Sequence, residues 1–258
     1  MPVELVRGNG PLLVTLPHTG LSMPRMIVDR LNDPTGSFTA PDRFLSRLLA
    51  NPSHQTSTLA ANFHRYVSDV DYLASTRQSE DRDRMVGMVP LRDASGAPIW
   101  DQPPGLKEAS RWRAMYYAPY HAALAAQLAR MRAQFGHVVI LNLRARHDLH
   151  SDSMKARKVG LANGYNTSCA TDLSIKLINL LQSYDEFEAV ANHDIRQGHT
   201  TRHYGRPAAC FHAVDLEISE ACYLAAADDD VVFDNQKADP VRHLLNDVIA
   251  LINAWQPG

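Results

Sequence analysis

Short apolar runs that lead into polar, chemically active residues are the feature that most constrains how this sequence folds. PLLVTLP at residues 11–17 is followed directly by His18. HVVIL at residues 137–141 leads into a polar segment, and the run from Cys210 to Ile218 contains Glu217. Such runs, alternating with helical patterns, predict the buried strands of an α/β sheet. Because the sites of open α/β sheets lie at the carboxyl ends of the strands, we expect these polar residues to meet at one edge.

The helical patterns complete the prediction of the fold. Lys107 to Phe135 has apolar residues at helical spacing, and Pro119 should kink or split that helix. A closing amphipathic helix is predicted from Val241 to Trp255. With no internal repeat and no domain boundary in the sequence, we expect residues 1–258 to form a single α/β domain. Its sheet should be mixed, mostly parallel and flanked by helices.

Several connecting segments give weaker predictions. A second strand is expected around residues 63–67, and a polar loop from Val159 to Cys169. Residues 77–105 combine a mixed-charge stretch with Gly- and Pro-rich sequence, which predicts a long excursion or a lid over a site. Asp42 follows Ala40 and Pro41 at the expected start of a helix, where it could cap that helix or point into a site.

Composition excludes some classes of protein. The net charge is −2, so a basic stripe for nucleic acid is not expected. No segment has the length and apolar character of a membrane helix, and the first residues do not resemble a signal peptide. The odd count of three Cys fits a reducing compartment. These features predict a soluble, cytoplasmic protein. The twelve His are the one excess, and they hint at metal or proton chemistry.

Two candidate residues stand out before any comparison. Glu217 lies in an otherwise apolar strand, where an unpaired carboxylate is costly. It is either a general base or a scaffold carboxylate paired with Arg202 or Arg206. His18, at the end of the first buried strand, is either a ligand or base of a site or a loop residue capping a carbonyl.

The order of several motifs resembles the N-formylglutamate amidohydrolase family. The motifs are PHTG, FHRYVSDVD, GMVPLRDASGAPI, PYHAAL, GLANGYNTSC and GHTTRHYG followed by HAVDLEIS. They cover nearly the whole chain in the family's order, and TRHYG with HAVDLE is the most specific element.

The resemblance implies a fold similar to zinc-dependent exopeptidases. It also implies hydrolysis of N-formyl-glutamate to formate and glutamate in histidine catabolism, with a small anionic acyl amino acid as ligand; a homo-oligomer is left open. Zinc would be held by neutral His and carboxylate ligands with one position open for water. The roles it implies are metal ligands His18 and Asp42, catalytic residues Glu217 and His203, and substrate-binding residues Arg65, Asp69, Asn163 and Arg202.

The third metal ligand departs from the family's pattern. Where the family has an aspartate–x–histidine motif after its strand, this chain has Asn142 and Arg144, and a guanidinium has no lone pair for zinc. Two alternatives stay open. The loop with a displaced Asp-Leu-His-Ser motif could fold back so that His150, or else His147, becomes the third ligand. Otherwise the site is metal-free, Arg144 pairs with Asp42 or Glu217, and the pocket, with Arg144 among its ligand contacts, binds a small anion or performs changed chemistry.

Overall fold

The structure is a computed structural model. A mixed sheet of seven strands forms the centre of the fold. The described residues are 1–33, 42–49, 54–72, 88–93, 96–147, 158–192, 195, 197–227 and 230–258. The strands of the sheet are β1 (Val3–Val6), β2 (Leu12–Leu16), β3 (Ser57–Ala61), β4 (Val138–Arg146), β5 (Lys158–Ala162), β6 (Glu188–Ala191) and β7 (Phe211–Ser219). Their order is β1-β3-β2-β4-β7-β5-β6. A separate hairpin consists of β8 (Leu224–Ala227) and β9 (Asp230–Phe233).

Helices cover both faces of this sheet. They are α1 (Arg25–Val28), α2 (Leu106–Trp112), α3 (Ala118–Phe135), α4 (Thr171–Gln182), α5 (His199–Tyr204) and α6 (Asn235–Ala254). Short 3-10 helices lie at Leu45–Leu49, Pro207–Ala209 and Glu220–Cys222. A π-helical turn at Arg113–Tyr117 joins α2 to α3, and Pro119 lies in the first turn of α3. The long helix is therefore interrupted by a π-helical turn just before Pro119, while the backbone stays helical on both sides of it.

The central strands β3, β2, β4 and β7 are parallel to one another, so their carboxyl ends share one edge. At the borders of this block, β1 pairs with β3 and β5 pairs with β7 in antiparallel orientation. The chain is thus a single α/β domain with a mixed, mostly parallel sheet, as the sequence predicted.

The alternation of side chains along β7 and β4 decides which residues face the site. Ala213 packs in the apolar cluster that includes residues of α2 and α3. Val214 and Leu216 pack in the other cluster, which includes residues of α4 and α6. Because neighbouring side chains on a strand point to opposite faces, Asp215 and Glu217 lie on the same face as Ala213. The same parity along β4 places Asn142 and Arg144 on this face.

The expected strand around residues 63–67 is wrong, because β3 ends at Ala61. After Phe63 the backbone turns: the N–H of Val67 donates to the carbonyl oxygen of His64 at 2.9 Å. The imidazole Nδ1 of His64 accepts from the N–H of Tyr66 at 3.1 Å. This turn carries Arg65 and Asp69 toward the edge where the strands end.

The polar loop expected from Val159 is wrong in its first part, which forms β5. That strand pairs with β7 on one side and β6 on the other. Gly160 concealed the strand in the sequence, yet it is required by packing, since a Cβ there would collide with the side chain of Ile195. After β5 the chain turns at Asn163-Gly164, with Gly164 at φ 59°.

The lid predicted from the sequence falls partly outside the described residues. Part of the lid predicted for residues 77–105, namely residues 77–87 and 94–95, lies outside them, so the lid stays a prediction. Within its described part, Ile99 and Trp100 are buried in the core, and the Trp100 indole donates to the carbonyl oxygen of Pro90 at 2.7 Å.

None of the helices in the described ranges combines the length and apolar character needed to cross a bilayer.

Acid should destabilise this fold through His212. The imidazole is buried under Trp255, and its Nδ1 accepts from the N–H of Ala170 at 3.2 Å. Burial, reinforced by His137, lowers the pKa of His212 to about 4, from about 6.5 in an unfolded chain. Between these values the folded state binds fewer protons than the unfolded state, so stability should fall as pH drops from 6.5 to 4.

Urea unfolding at a series of pH values measures this effect. His212→Gln, which keeps a hydrogen-bond acceptor, should show a shallower fall than wild type. His243→Gln replaces an exposed imidazole on α6 and should keep the wild-type slope. An unchanged slope in His212→Gln would contradict the assignment.

Candidate active site

His18 is placed by the end of β2 at the centre of the polar edge. The side chain is buried, and its Nε2 lies 2.8 Å from Oδ1 of Asp69. Its other ring nitrogen, Nδ1, lies 3.7 Å from Oδ2 of Asp42. The imidazole is therefore held between two carboxylates that come from different parts of the chain.

Asp69 fixes the orientation of that imidazole. Its Oδ2 accepts from Arg65 at 2.7 Å, and its Oδ1 also accepts from the N–H of Asp71 at 3.0 Å. Burial alone would raise the pKa of Asp69, but Arg65 and His18 outweigh it and lower the pKa. Because an ionised carboxylate only accepts, Nε2 of His18 carries the hydrogen of this bond. Nδ1 is then the atom that faces Asp42.

Asp42 enters the site from a strained turn instead of capping a helix. Its backbone has φ 51°, and only the 3-10 helix Leu45–Leu49 follows. Oδ1 accepts from the N–H of Ala145 at 3.1 Å, which ties the carboxylate to the end of β4. Oδ2 is buried and has no hydrogen-bond partner among the residues that the structure describes. Of the two readings left open by the sequence, the geometry favours the site carboxylate.

A second group of buried polar residues lies beside the first, built around Asn142. Its Nδ2 donates to Oδ2 of Asp71 at 2.9 Å and to Oδ1 of Asp215 at 2.6 Å. Its Oδ1 accepts from the hydroxyl of Thr15 at 2.7 Å. The residues come from β2, β4 and β7 and from the segment after β3, so this network joins the strands of the parallel block.

The start of α5 completes this network. The N–H of Gly198 donates to Oδ2 of Asp215 at 3.0 Å, and the N–H of Thr200 donates to Oδ1 of Asp71 at 2.8 Å. Gly198 is required here, because a Cβ would collide with the carboxylate of Asp71. Both carboxylates are thereby fixed by backbone as well as by Asn142.

Arg144 points into this group and not into bulk water. Its side chain is 13% exposed, with NH1 3.7 Å from Oδ2 of Asp71 and Nε 3.8 Å from Oδ1 of Asp215. The sequence had suggested Asp42 or Glu217 as ion-pair partners. The guanidinium instead forms ion pairs with Asp71 and Asp215, while the charges of Glu217 and Asp42 act on it more weakly.

Glu217 is the neighbour of Arg144 in the adjacent parallel strand. The two residues are paired in the register of β4 and β7, on the same face of the sheet. Burial raises the pKa of Glu217, and Arg144 opposes part of that rise. A partly desolvated carboxylate of this kind is suited to accept a proton. Beyond the strand ends, Nδ1 of His147 lies 2.9 Å from Oε1 of Glu220.

Four other predicted site residues are less closely tied to these groups or lie outside the described part of the chain. The amide of Asn163 is buried and donates to Asn166 and to Ser174, which favours a structural role in its turn. Arg202 and His203 are exposed on α5, and the ring of His203 stacks on His199 at a centroid distance of 5.0 Å. His150 lies outside the described residues, so its predicted role as a ligand stays a prediction.

Residues that the sequence analysis did not assign also border the site. His121 on α3 has Nε2 2.9 Å from the carbonyl oxygen of Val70 and Nδ1 2.9 Å from the hydroxyl of Tyr204. Burial lowers the pKa of His121 to about 4, so the ring is neutral at pH 7 and donates from Nε2 to Val70. His121 belongs to PYHAAL, a motif that the sequence offered without a role.

The fold and the site define a class of α/β proteins. In this class a mostly parallel sheet collects His, Asp, Glu and Arg side chains at the carboxyl ends of its strands. Comparisons with known proteins narrow this class. The N-formylglutamate amidohydrolase family matches residues 10–224. This match spans most of the chain, and the protein belongs to that family.

Relatives of full length support the assignment. The chain is 28% identical over 260 residues to N-formylglutamate deformylase of Pseudomonas aeruginosa, covering 96% of this chain and 95% of the relative. It is 26% identical to N-formylglutamate deformylase of Pseudomonas putida, covering 96% and 94%.

Solved structures share the fold. N-formylglutamate amidohydrolase from Ralstonia eutropha JMP134 superposes with a TM-score of 0.77 at 23% identity, covering 97% of this chain and 95% of that one. The gene product Atu2144 from Agrobacterium tumefaciens gives a TM-score of 0.71 at 16% identity, covering 96% and 93%.

The donor set can be tested against the zinc ion that the family resemblance implies. His18 Nδ1 and Asp42 Oδ2 face each other as two ligands of one cation would, and Asp69 holds the second nitrogen of the imidazole as outer residues of metal sites do. A catalytic zinc ion takes three protein ligands. Within the described ranges, no three His, Cys, Asp or Glu side chains are placed to hold a metal. The described residues therefore do not fit this ion, and Arg144 stands where the third ligand was expected.

Proposed function

We propose that this protein hydrolyses the amide bond of N-formyl-L-glutamate and releases formate and glutamate. The observation that carries the proposal is the placement of Glu217. A half-buried carboxylate with a raised pKa lies near the strand ends, on the face of the sheet that also carries Arg144, and the His18–Asp69 pair lies at the same edge. Full-length similarity to proteins named N-formylglutamate deformylase supports this substrate. It gives no support to a binding protein that has lost the reaction.

Glu217 is the general base of the proposed reaction. It takes a proton from a water molecule as the water oxygen bonds to the formyl carbon. The carbon–nitrogen bond then breaks, and the proton passes from Glu217 to the leaving amine. The second proton of the water leaves with formic acid, which ionises in solution. Proton transfer by a positioned carboxylate contributes about 100- to 10,000-fold to such reactions.

Arg65 is the residue that we assign to a carboxylate of the substrate. Its side chain is 34% exposed, so a ligand can reach it, and NH2 is anchored by Asp69 at 2.7 Å. Its Nε is buried and has no hydrogen-bond partner within the described part of the chain. A guanidinium fixed by one carboxylate can bind a second one with its remaining donors.

Arg65→Ala should therefore raise KM for N-formyl-L-glutamate by about 10- to 100-fold, the size expected for losing a hydrogen bond to a charged group. Formate release measures the reaction. The loss should be small for the analogue in which the bound carboxylate is replaced by an amide. Equal losses for the acid and both amidated analogues would show that Arg65 acts only by holding Asp69. No formate from wild-type protein would overturn the proposed function.

A further inference from the structure

The described site contains more carboxylates than permanent cations. The carboxylates are those of Asp42, Asp69, Asp71, Asp215 and Glu217. Arg65 is bound to Asp69 at 2.7 Å, and the guanidinium of Arg144 lies 3.7 Å from Asp71 and 3.8 Å from Asp215. A largely buried guanidinium beside carboxylates keeps its charge, so Arg144 is a cation of fixed position within the site.

The position of that charge is determined by the network beneath it. Asp71 and Asp215, which form ion pairs with Arg144, are themselves bound by Asn142 at 2.9 and 2.6 Å. The backbone at the start of α5 donates to both carboxylates. A cation held by carboxylates that cannot turn away is preorganised, and preorganised charge stabilises a transition state without a cost of reorientation.

The cation also lies next to the proposed base. Arg144 and Glu217 are register neighbours in adjacent parallel strands, which are about 4.8 Å apart, and both project from the same face. A substrate carbonyl held at this edge would have a proton acceptor and a fixed positive charge side by side. Amide hydrolysis needs both groups, because charge develops on the carbonyl oxygen as water attacks.

We infer that Arg144 is the electrophilic residue of this site: its guanidinium binds the formyl carbonyl oxygen and stabilises the negative charge formed there. Asp71, Asp215 and Asn142 are its positioning residues. The inference rests on the proposed function. The water oxygen bonds to the formyl carbon, the carbonyl π electrons move to the oxygen facing Arg144, and Glu217 takes the proton. Collapse of the intermediate restores the carbonyl and expels the amine, which receives that proton.

The test compares wild type, Arg144→Ala, Arg144→Lys and Arg242→Ala, each assayed for formate release with EDTA, with added zinc and with millimolar guanidinium chloride. Arg242 forms an ion pair with Asp239 on α6 and serves as the matched control. Wild-type activity should be insensitive to EDTA and zinc. Arg144→Ala should lose about 100- to 1,000-fold in kcat, as when an oxyanion donor is removed. Guanidinium should restore at least tenfold to Arg144→Ala and nothing to wild type or Arg242→Ala.

Other results would overturn the inference. These are wild-type activity lost to EDTA and restored by one equivalent of zinc, an Arg144→Ala variant that folds and keeps its kcat, or a failure of guanidinium to restore activity. If Arg144→Ala does not fold, Arg144→Lys provides the test. Lysine keeps the positive charge but lacks the planar pair of guanidinium donors. The kcat of Arg144→Lys should therefore fall at least tenfold while its Tm stays near that of wild type.

A failure of the proposed function can be distinguished from a failure of the inference about Arg144. If wild type releases no formate, calorimetric binding of N-formyl-L-glutamate in EDTA judges the inference alone. At least tenfold weaker binding to Arg144→Ala than to wild type supports Arg144 as the group that binds the ligand. Equal affinity, or none for wild type, overturns it.

Discussion

Glu217→Gln should lower kcat for N-formyl-L-glutamate by about 100- to 10,000-fold and change KM by no more than a few-fold. The amide has nearly the shape of the carboxylate but cannot accept a proton from water. Because the loss belongs to the chemical step and not to substrate binding, it should appear in kcat. Initial rates of formate release over a range of substrate concentrations measure both constants.

The pH dependence gives this prediction a second readout. Burial raises the pKa of Glu217, and the base must be ionised to act. The kcat of wild type should therefore fall on the acid side with an apparent pKa above that of an ordinary glutamate, and Glu217→Gln should lose this limb.

Glu4→Gln is the control, since Glu4 is exposed on the edge strand β1. It should keep wild-type constants. A Glu217→Gln variant with near-normal kcat would instead support the scaffold role that the sequence left open.

Asp215→Ala should lower the free energy of unfolding by about 3–5 kcal/mol, the cost of breaking a buried ion pair by removing one member. Asp215 is fully buried, and its removal leaves the charge of Arg144 and the N–H of Gly198 without this acceptor. Burial raises the pKa of Asp215 to about 6, although Arg144 opposes the rise. Burying this carboxylate in its ionised form is therefore costly, and the surrounding hydrogen-bond donors offset that cost.

Urea unfolding at pH 7.5, followed by circular dichroism, measures the loss. Asp215→Asn keeps the shape and one acceptor oxygen and should recover part of it. Asp239→Ala removes the carboxylate from an exposed ion pair with Arg242 and should cost only about 0–1 kcal/mol. A loss below about 1 kcal/mol for Asp215→Ala would contradict a structural role for this network.

The pieces of the fold that follow from local pattern could be predicted. The runs that form β2, β4 and β7 are apolar and bounded by breaking residues, and Pro119 indicated the interruption that lies just before it in the long helix. His18 could be placed at the end of β2 for the same reason. Strands β5 and β6 were missed, because Gly160 and a short, partly exposed segment give little local signal.

The site could be predicted only in part. Asp215 and Glu217 could be assigned to one face because a strand alternates with period two. The ion-pair partners of Arg144 could not, although the Asp-Val-Asp sequence at residues 69–71 marked a second carboxylate beside Asp69. No local rule indicates that Asn142 donates to Asp71, 71 residues away, and to Asp215, 73 residues away.

The sequence by itself determined the family, the class of fold and the end of the sheet where chemistry is expected, because short-range periodicity and motif order carry that information. Only the tertiary structure decided which charges meet. Contacts between distant segments depend on strand order and register, and these placed Arg144 against Asp71 and Asp215 and left His18 between Asp42 and Asp69. In a buried site the interaction of each charge depends on distances of a few ångströms, which no spacing along the chain specifies.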